Sequence, residues 1–131
     1  MNTHSRGFTV IELLFIVVIL GAASVLFFIQ RSNVEVAARD NVRKTSINAL
    51  YYSLEEVFFK EQGYYPQTIE ETTLRSVDPA LLADPAGVKI NEANSDYRYE
   101  PVNCTDAKCK AYTLRATLEN EDDFVKTSRN N

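Results

Sequence analysis

The sequence predicts an α+β chain: one long N-terminal α-helix, with a membrane-spanning half and an amphipathic half, packed on a small antiparallel β-sheet. Three observations predict it. Residues Phe8 to Ile29 form an apolar run interrupted by a single charge; residues 31–62 lack both proline and glycine; and apolar residues alternate with polar ones near the C-terminus, as in Tyr112, Leu114, Ala116 and Leu118.

The run from Phe8 to Ile29 is long enough to cross a bilayer, since about 20 apolar residues at ~1.5 Å each span the ~30 Å hydrocarbon layer. Glu12 is the exception within it. An acidic side chain there costs on the order of 2.5–3.5 kcal/mol on insertion scales and calls for a cation. The apolar residues after it supply none, and Arg6 and His4 lie beyond Gly7. A cut between Gly7 and Phe8 would create an α-amino group one helical turn before the carboxylate, where opposite charges attract strongly.

The segment Gly7-Phe8-Thr9-Val10-Ile11-Glu12-Leu13-Leu14 resembles the class III signal of type IV pilins and pseudopilins. The resemblance implies a prepilin cleaved after Gly7 by a membrane aspartyl peptidase that also methylates the new Phe8 amine. It further implies that Glu12, the fifth mature residue, pairs with the Phe8 amine of a neighbouring subunit during assembly. The motif covers closely only the first quarter of the chain. An ordinary secretory signal peptide, cut near Ala22-Ala23-Ser24, competes with this reading but explains neither Glu12 nor the apolar residues from Val25 to Ile29. A plain signal anchor, in which Glu12 caps the orphan amides of its own first helical turn, is the other competitor. Charge counting points the opposite way in orientation, because Arg31, Arg39, Arg43 and Lys44 follow the span. The processing motif and the cysteine pair discussed below outweigh it.

Beyond the span, residues 31–62 are rich in good helix formers, so the helix is expected to run on from Phe8 to Gln62, a rod of roughly 80 Å that a domain of this size cannot cover along its length. Ile47, Leu50, Tyr51, Leu54, Val57 and Phe58 fall on one face and form the expected packing stripe. Such a rod resembles the N-terminal helix of pilins, whose apolar halves bundle in a filament core. Gly21 is the only glycine inside it, consistent with close helix packing or with local weakening. Gly63, taking a positive φ, stops the helix, and Pro66 reinforces the stop. The tract Gly63-Tyr64-Tyr65-Pro66 resembles the Gly-x-Tyr-Pro turn of many pilins and major pseudopilins; its tyrosines are expected to cover the core with their hydroxyls in water.

Residues 67–95, with Asp-Pro pairs at 78–79 and 84–85, read as a loop with short helical turns, in the position of the pilin αβ-loop. Tyr97, Tyr99 and Val102 mark one strand, Tyr112 to Leu118 a second, and Phe124 to Lys126 a short third, whose joint apolar face covers the helix stripe. Cys104 and Cys109 bracket the turn between the two main strands, where their Cβ atoms can approach the ~4 Å a disulfide needs. A disulfide implies an oxidising compartment; free buried thiols are the alternative. The expected organisation is a leader over 1–7, a hydrophobic transmembrane and assembly helix over 8–30, and a globular domain over 31–131. That domain comprises an amphipathic helix 31–62, the loop 63–95, a sheet 96–127 and a frayed polar tail 128–131.

No enzyme signature is present. The only histidine, His4, sits in the leader, and there is no phosphate loop, nucleophile elbow or metal-ligand cluster. No cofactor and no metal are expected, although a calcium site among Asp84, Asp96, Asp106 or Asp122 is an alternative without specific ligand spacing. Acidic runs at Glu55-Glu56, Glu70-Glu71 and Glu119 to Asp123 read as solvated faces. The net charge of −4, with both signs interspersed, offers no basic field for nucleic acid. The resemblance implies a structural subunit whose partners are copies of itself in a helical homopolymer, a prepilin peptidase and methyltransferase, an inner-membrane assembly platform, and lipid before assembly. It would sit in the membrane with a single pass, then in a cell-surface pilus or an extracytoplasmic pseudopilus. Alternatives are a type II secretion pseudopilin, a minor pilin acting as a tip adhesin or DNA-uptake module, and a plain anchored domain.

Overall fold

The computed structural model describes residues 7–130. Arg6, His4 and the rest of the expected leader before Gly7, and Asn131, lie outside the described residues. The fold is α+β, as the sequence predicts, and is compatible with the pilin-like fold. The chain divides into two compact units between Glu35 and Val36. Helix α1, Val10–Tyr52, contributes to both.

In the first unit every side chain from Gly7 to Glu35 is exposed. The helix of which α1 is the larger part, Val10–Gln62, is long and apolar enough to cross a membrane. It begins at Val10 rather than at Phe8, because Thr9 takes the capping position described below. Arg31 and Glu35 pair with each other at 3.3 Å, one helical turn apart. The second unit begins at Val36.

In the second unit α1 buries Ile47 and Leu50, and a π-helical segment, Ser53–Phe58, continues the helix into α2, Phe59–Gln62. The Phe59 amide bonds to the Leu54 carbonyl, five residues back, so the segment holds one residue more per turn than an α-helix would. That insertion corrects the expected stripe. Ile47, Leu50 and Leu54 are fully buried and Tyr51 and Phe58 partly so, but Val57 turns out to solvent and Glu55 turns in. Gly63 ends the helix with φ 74°, and its amide bonds to the Phe59 carbonyl at 2.8 Å.

The sheet has β3, Lys108–Ala116, at its centre. β2, Tyr97–Thr105, pairs along one edge of it, while β1, Tyr65–Pro66, and β4, Phe124–Thr127, pair with successive parts of the other; all pairs are antiparallel. β1 was not expected: the Tyr-Pro tract forms a strand against Cys109 and Lys108 as well as a turn. Tyr65 is fully buried and its hydroxyl is not in water, a second correction; Tyr64 is partly exposed. The inner face of the sheet, Tyr97, Tyr99, Tyr112, Leu114 and Ala116, covers Ile47, Leu50 and Leu54. Ile69, Leu74, Leu82 and Ile90 of the loop close the remaining side of the core. A 3₁₀ turn, Pro79–Leu82, is capped by Asp78, which accepts from the Ala80 amide at 2.9 Å.

Two polar clusters tie the unit together, and the first corrects the reading of Glu55 as part of a solvated face. Glu55, 4% exposed, accepts from the Tyr65 and Tyr112 hydroxyls at 3.0 and 2.9 Å and from the Arg129 amide at 3.2 Å. Burial pushes both tyrosine pKa values up, so the hydroxyls keep their protons for donation. The tail is therefore not frayed over Ser128 to Asn130. The Ser128 amide bonds to the Tyr112 carbonyl, the Arg129 guanidinium donates to Tyr51 and Glu56, and the Asn130 amide group donates to the Tyr65 hydroxyl.

In the second cluster the Arg43 guanidinium donates to Asp40 and Glu119, each at 2.8 Å, and to Asp96 at 2.8 and 3.0 Å. Arg39 adds a bidentate pair to Glu119, at 2.7 Å for both bonds. Asp40 also accepts the Glu119 and Asn120 amides, at 3.0 and 3.3 Å. Burial works against the Arg43 charge, but its bonds to Glu119 and Asp96 outweigh that and raise its pKa.

Candidate functional site

The residues that the sequence singles out at the N-terminus occupy the start of α1. Gly7 and Phe8 precede the helix without regular secondary structure, and Phe8 is 77% exposed. The first helical bond runs from the Leu13 amide to the Thr9 carbonyl at 3.1 Å. Glu12 lies in the first turn. Its Oε2 accepts from the Thr9 amide at 3.1 Å and from the Thr9 hydroxyl at 3.0 Å, while the Glu12 amide donates to Thr9 Oγ1 at 3.3 Å. This reciprocal arrangement is a capping box, and it satisfies orphan amides that lipid could not. The carboxylate also sits at the positive end of the helix dipole.

Gly7, Phe8 and Glu12 are thus within six residues of one another on an exposed stretch, and the hydrogen bonds of the Glu12 carboxylate among the described residues go to Thr9. Thr9 is the residue that sequence reasoning missed. Its signal was legible as Thr-x-x-Glu before an apolar run. Further along, the Ser24 hydroxyl bonds back to the Leu20 carbonyl at 2.7 Å, which removes its polarity from the helix surface. A Cβ placed on Gly21 would meet no other atom within 4 Å, so no contact within the described chain requires glycine there.

Cys104 and Cys109 form a disulfide between directly opposed residues of β2 and β3, with Cα atoms 4.0 Å apart. Asp106 and Ala107 make the hairpin turn, with φ 51° and 63°. Cys109 is buried in the core and Cys104 is exposed.

Among the described residues no group of three or more His, Cys, Asp or Glu side chains could hold a metal ion. Two of the four aspartates considered for calcium are engaged within the protein. Asp84 accepts the Ala86, Val88 and Asp96 amides at 2.9, 2.9 and 3.0 Å, and Asp96 is paired with Arg43. Burial would raise the Asp84 pKa, but the three amide donors outweigh it and hold it below the usual carboxylate range. One open surface concavity of the second unit, about 690 Å³, lies between Ser53–Gln62 and Thr72–Ser76. It gathers no nucleophile paired with a base.

The arrangement at the start of α1 offers ionic and hydrogen-bonding chemistry: a carboxylate held at a helix end, on a helical stretch whose side chains are exposed as far as Glu35. A scan against protein-family models, a search of curated proteins and a search of solved structures each return no match to this chain.

Proposed function

We propose that this chain is a structural subunit of a type IV pilus-like filament, cut after Gly7, methylated on Phe8 and assembled by bundling of its N-terminal helix. What carries the reading is one conjunction: a helix whose side chains from Phe8 to Ile29 are all exposed apolar surface, except for Thr9, Glu12 and a few small residues, joined to a small disulfide-bonded domain with its own core. So much apolar surface is not left in water. Lipid covers it before assembly, and the same helices of neighbouring copies cover it afterwards, with the Phe8 amine of one copy neutralising Glu12 of the next. The disulfide suits an oxidising, extracytoplasmic side for the second unit. Cleavage falls to a prepilin peptidase and extraction to a membrane assembly platform. A type II secretion pseudopilus serves the same features.

The Thr9–Glu12 capping box favours a second reading, a plain membrane anchor whose acid serves only its own helix end. N-terminal mass analysis of the native protein separates the two. The filament reading expects a chain starting at a methylated Phe8, and an intact leader overturns it. Glu12→Ala is expected to leave insertion and cleavage nearly unchanged while abolishing filaments; normal fibre yield from that variant refutes the charge pairing.

A further inference from the structure

We propose that Thr9 is the positioning residue for Glu12: it holds one carboxylate oxygen against the helix start and leaves the other for the amine of a neighbouring copy. The proposal rests on the filament reading and adds a residue to it. Both Thr9 donors, amide and hydroxyl, converge on Glu12 Oε2, at 3.1 and 3.0 Å, and the same hydroxyl oxygen accepts the Glu12 amide at 3.3 Å. Oε1 has no hydrogen-bond partner among the described residues. The hydroxyl acts as donor and acceptor at once, closing a ring that orders a side chain otherwise rich in rotamers.

Ordering before contact matters because an ion pair loses part of its energy to fixing its own side chains. With Glu12 already held, a neighbour's amine meets a set acceptor at a set depth in the helix bundle. The same bonds satisfy one oxygen of the acid in lipid while no neighbour is present, and leave the other to be met on pairing. One residue thereby serves the lone subunit and the assembled one, and pairing exchanges no existing hydrogen bond.

Valine matches threonine in shape and lacks the hydroxyl, whereas serine keeps it. Amide hydrogen exchange on the full-length protein in lipid bicelles is expected to show the Glu12 amide protected in the wild type and in Thr9→Ser, and exposed in Thr9→Val. Filament yield in cells, normalised to the cleaved pool, is expected to fall about fivefold in Thr9→Val, the effect of one lost cap, and to return with Thr9→Ser. Unchanged exchange in Thr9→Val overturns the positioning role whether or not filaments form. Altered exchange with unchanged filament yield overturns its contribution to assembly. If the wild type forms no filaments although the exchange pattern is as expected, the filament reading itself fails and the pair is only a cap.

Discussion

Replacing Arg43 with methionine removes one cation from beneath three carboxylates while keeping most of the apolar stem. The side chain is only 7% exposed and Asp40 only 2%, so their pair is shielded from water and from salt. Breaking a buried pair by deleting one partner costs about 3–5 kcal/mol, because a desolvated charge is left behind. The remaining contacts place the loss near the lower end. Asp40 keeps the Glu119 and Asn120 amides, Glu119 keeps its bidentate Arg39, and Asp96 is about a third exposed and can rehydrate. A loss of about 3 kcal/mol lowers the melting temperature of a domain of roughly a hundred residues by about 15 °C. Arg43→Lys should lose less, about 1–2 kcal/mol, since an ammonium keeps the charge but cannot present a rigid fork to Asp40, Asp96 and Glu119 together. Thermal melting of the full-length protein in detergent, followed by near-ultraviolet tyrosine circular dichroism, reads both. A loss below about 1 kcal/mol for Arg43→Met would refute the claim that this cation joins the helix to the loop before β2 and to the connection between β3 and β4.

Acid should unfold the second unit through the same cluster. Hydrogen bonds from Arg39 and then Arg43 hold the Glu119 pKa at about 2 against an ordinary 4.5. Asp40, held by the Glu119 amide, and Glu56, held by Lys60 and Arg129, are lowered too. A lowered carboxylate contributes stability that is complete above its unfolded pKa and lost as pH falls towards its folded one. Melting temperature is therefore expected to stay level above about pH 5 and to fall between about 4.5 and 2; a fall that begins at pH 6 would contradict this. Glu55→Gln keeps the shape but weakens three charge-assisted bonds, from Tyr65, Tyr112 and the Arg129 amide, and should cost about 1–3 kcal/mol while raising proteolysis after Thr127; an unaltered tail would argue against the latch. Reducing Cys104–Cys109 opens a loop of only four intervening residues, so the domain should stay folded and lose no more than about 2 kcal/mol in a denaturant titration; unfolding on reduction alone would contradict the hydrogen-bonded hairpin as the main support there.

The core shows where local pattern sufficed and where it failed. Ile47, Leu50 and Leu54 were readable because they recur at helical spacing, and Tyr112, Leu114 and Ala116 because they alternate. The same periodicity misplaced Val57 and Glu55, since the π segment adds a residue to the turn and rotates everything after it, and no residue type in Ser53–Phe58 announces that. Tyr65 was expected to cover the core with its hydroxyl in water, and the hydroxyl instead donates to Glu55, a partner ten residues away that the π segment turns inward. At the chain start Thr9 was legible as half of a capping box, and the hydrogen bonds supply its geometry.

The sequence alone determined the features that depend on neighbours within a turn or two: an apolar span with one acid in it, a helix stopped at Gly63, a hairpin closed by cysteines five positions apart, and an α+β order of elements. Only the tertiary structure decided what depends on distant pairs. Arg43 meets Asp96 and Glu119 across 53 and 76 positions, and the Arg129 amide reaches Glu55 across 74. The physical reason is that composition and period report which surfaces must leave water, whereas a buried charge is tolerated only where the folded chain brings its partners within about 3 Å.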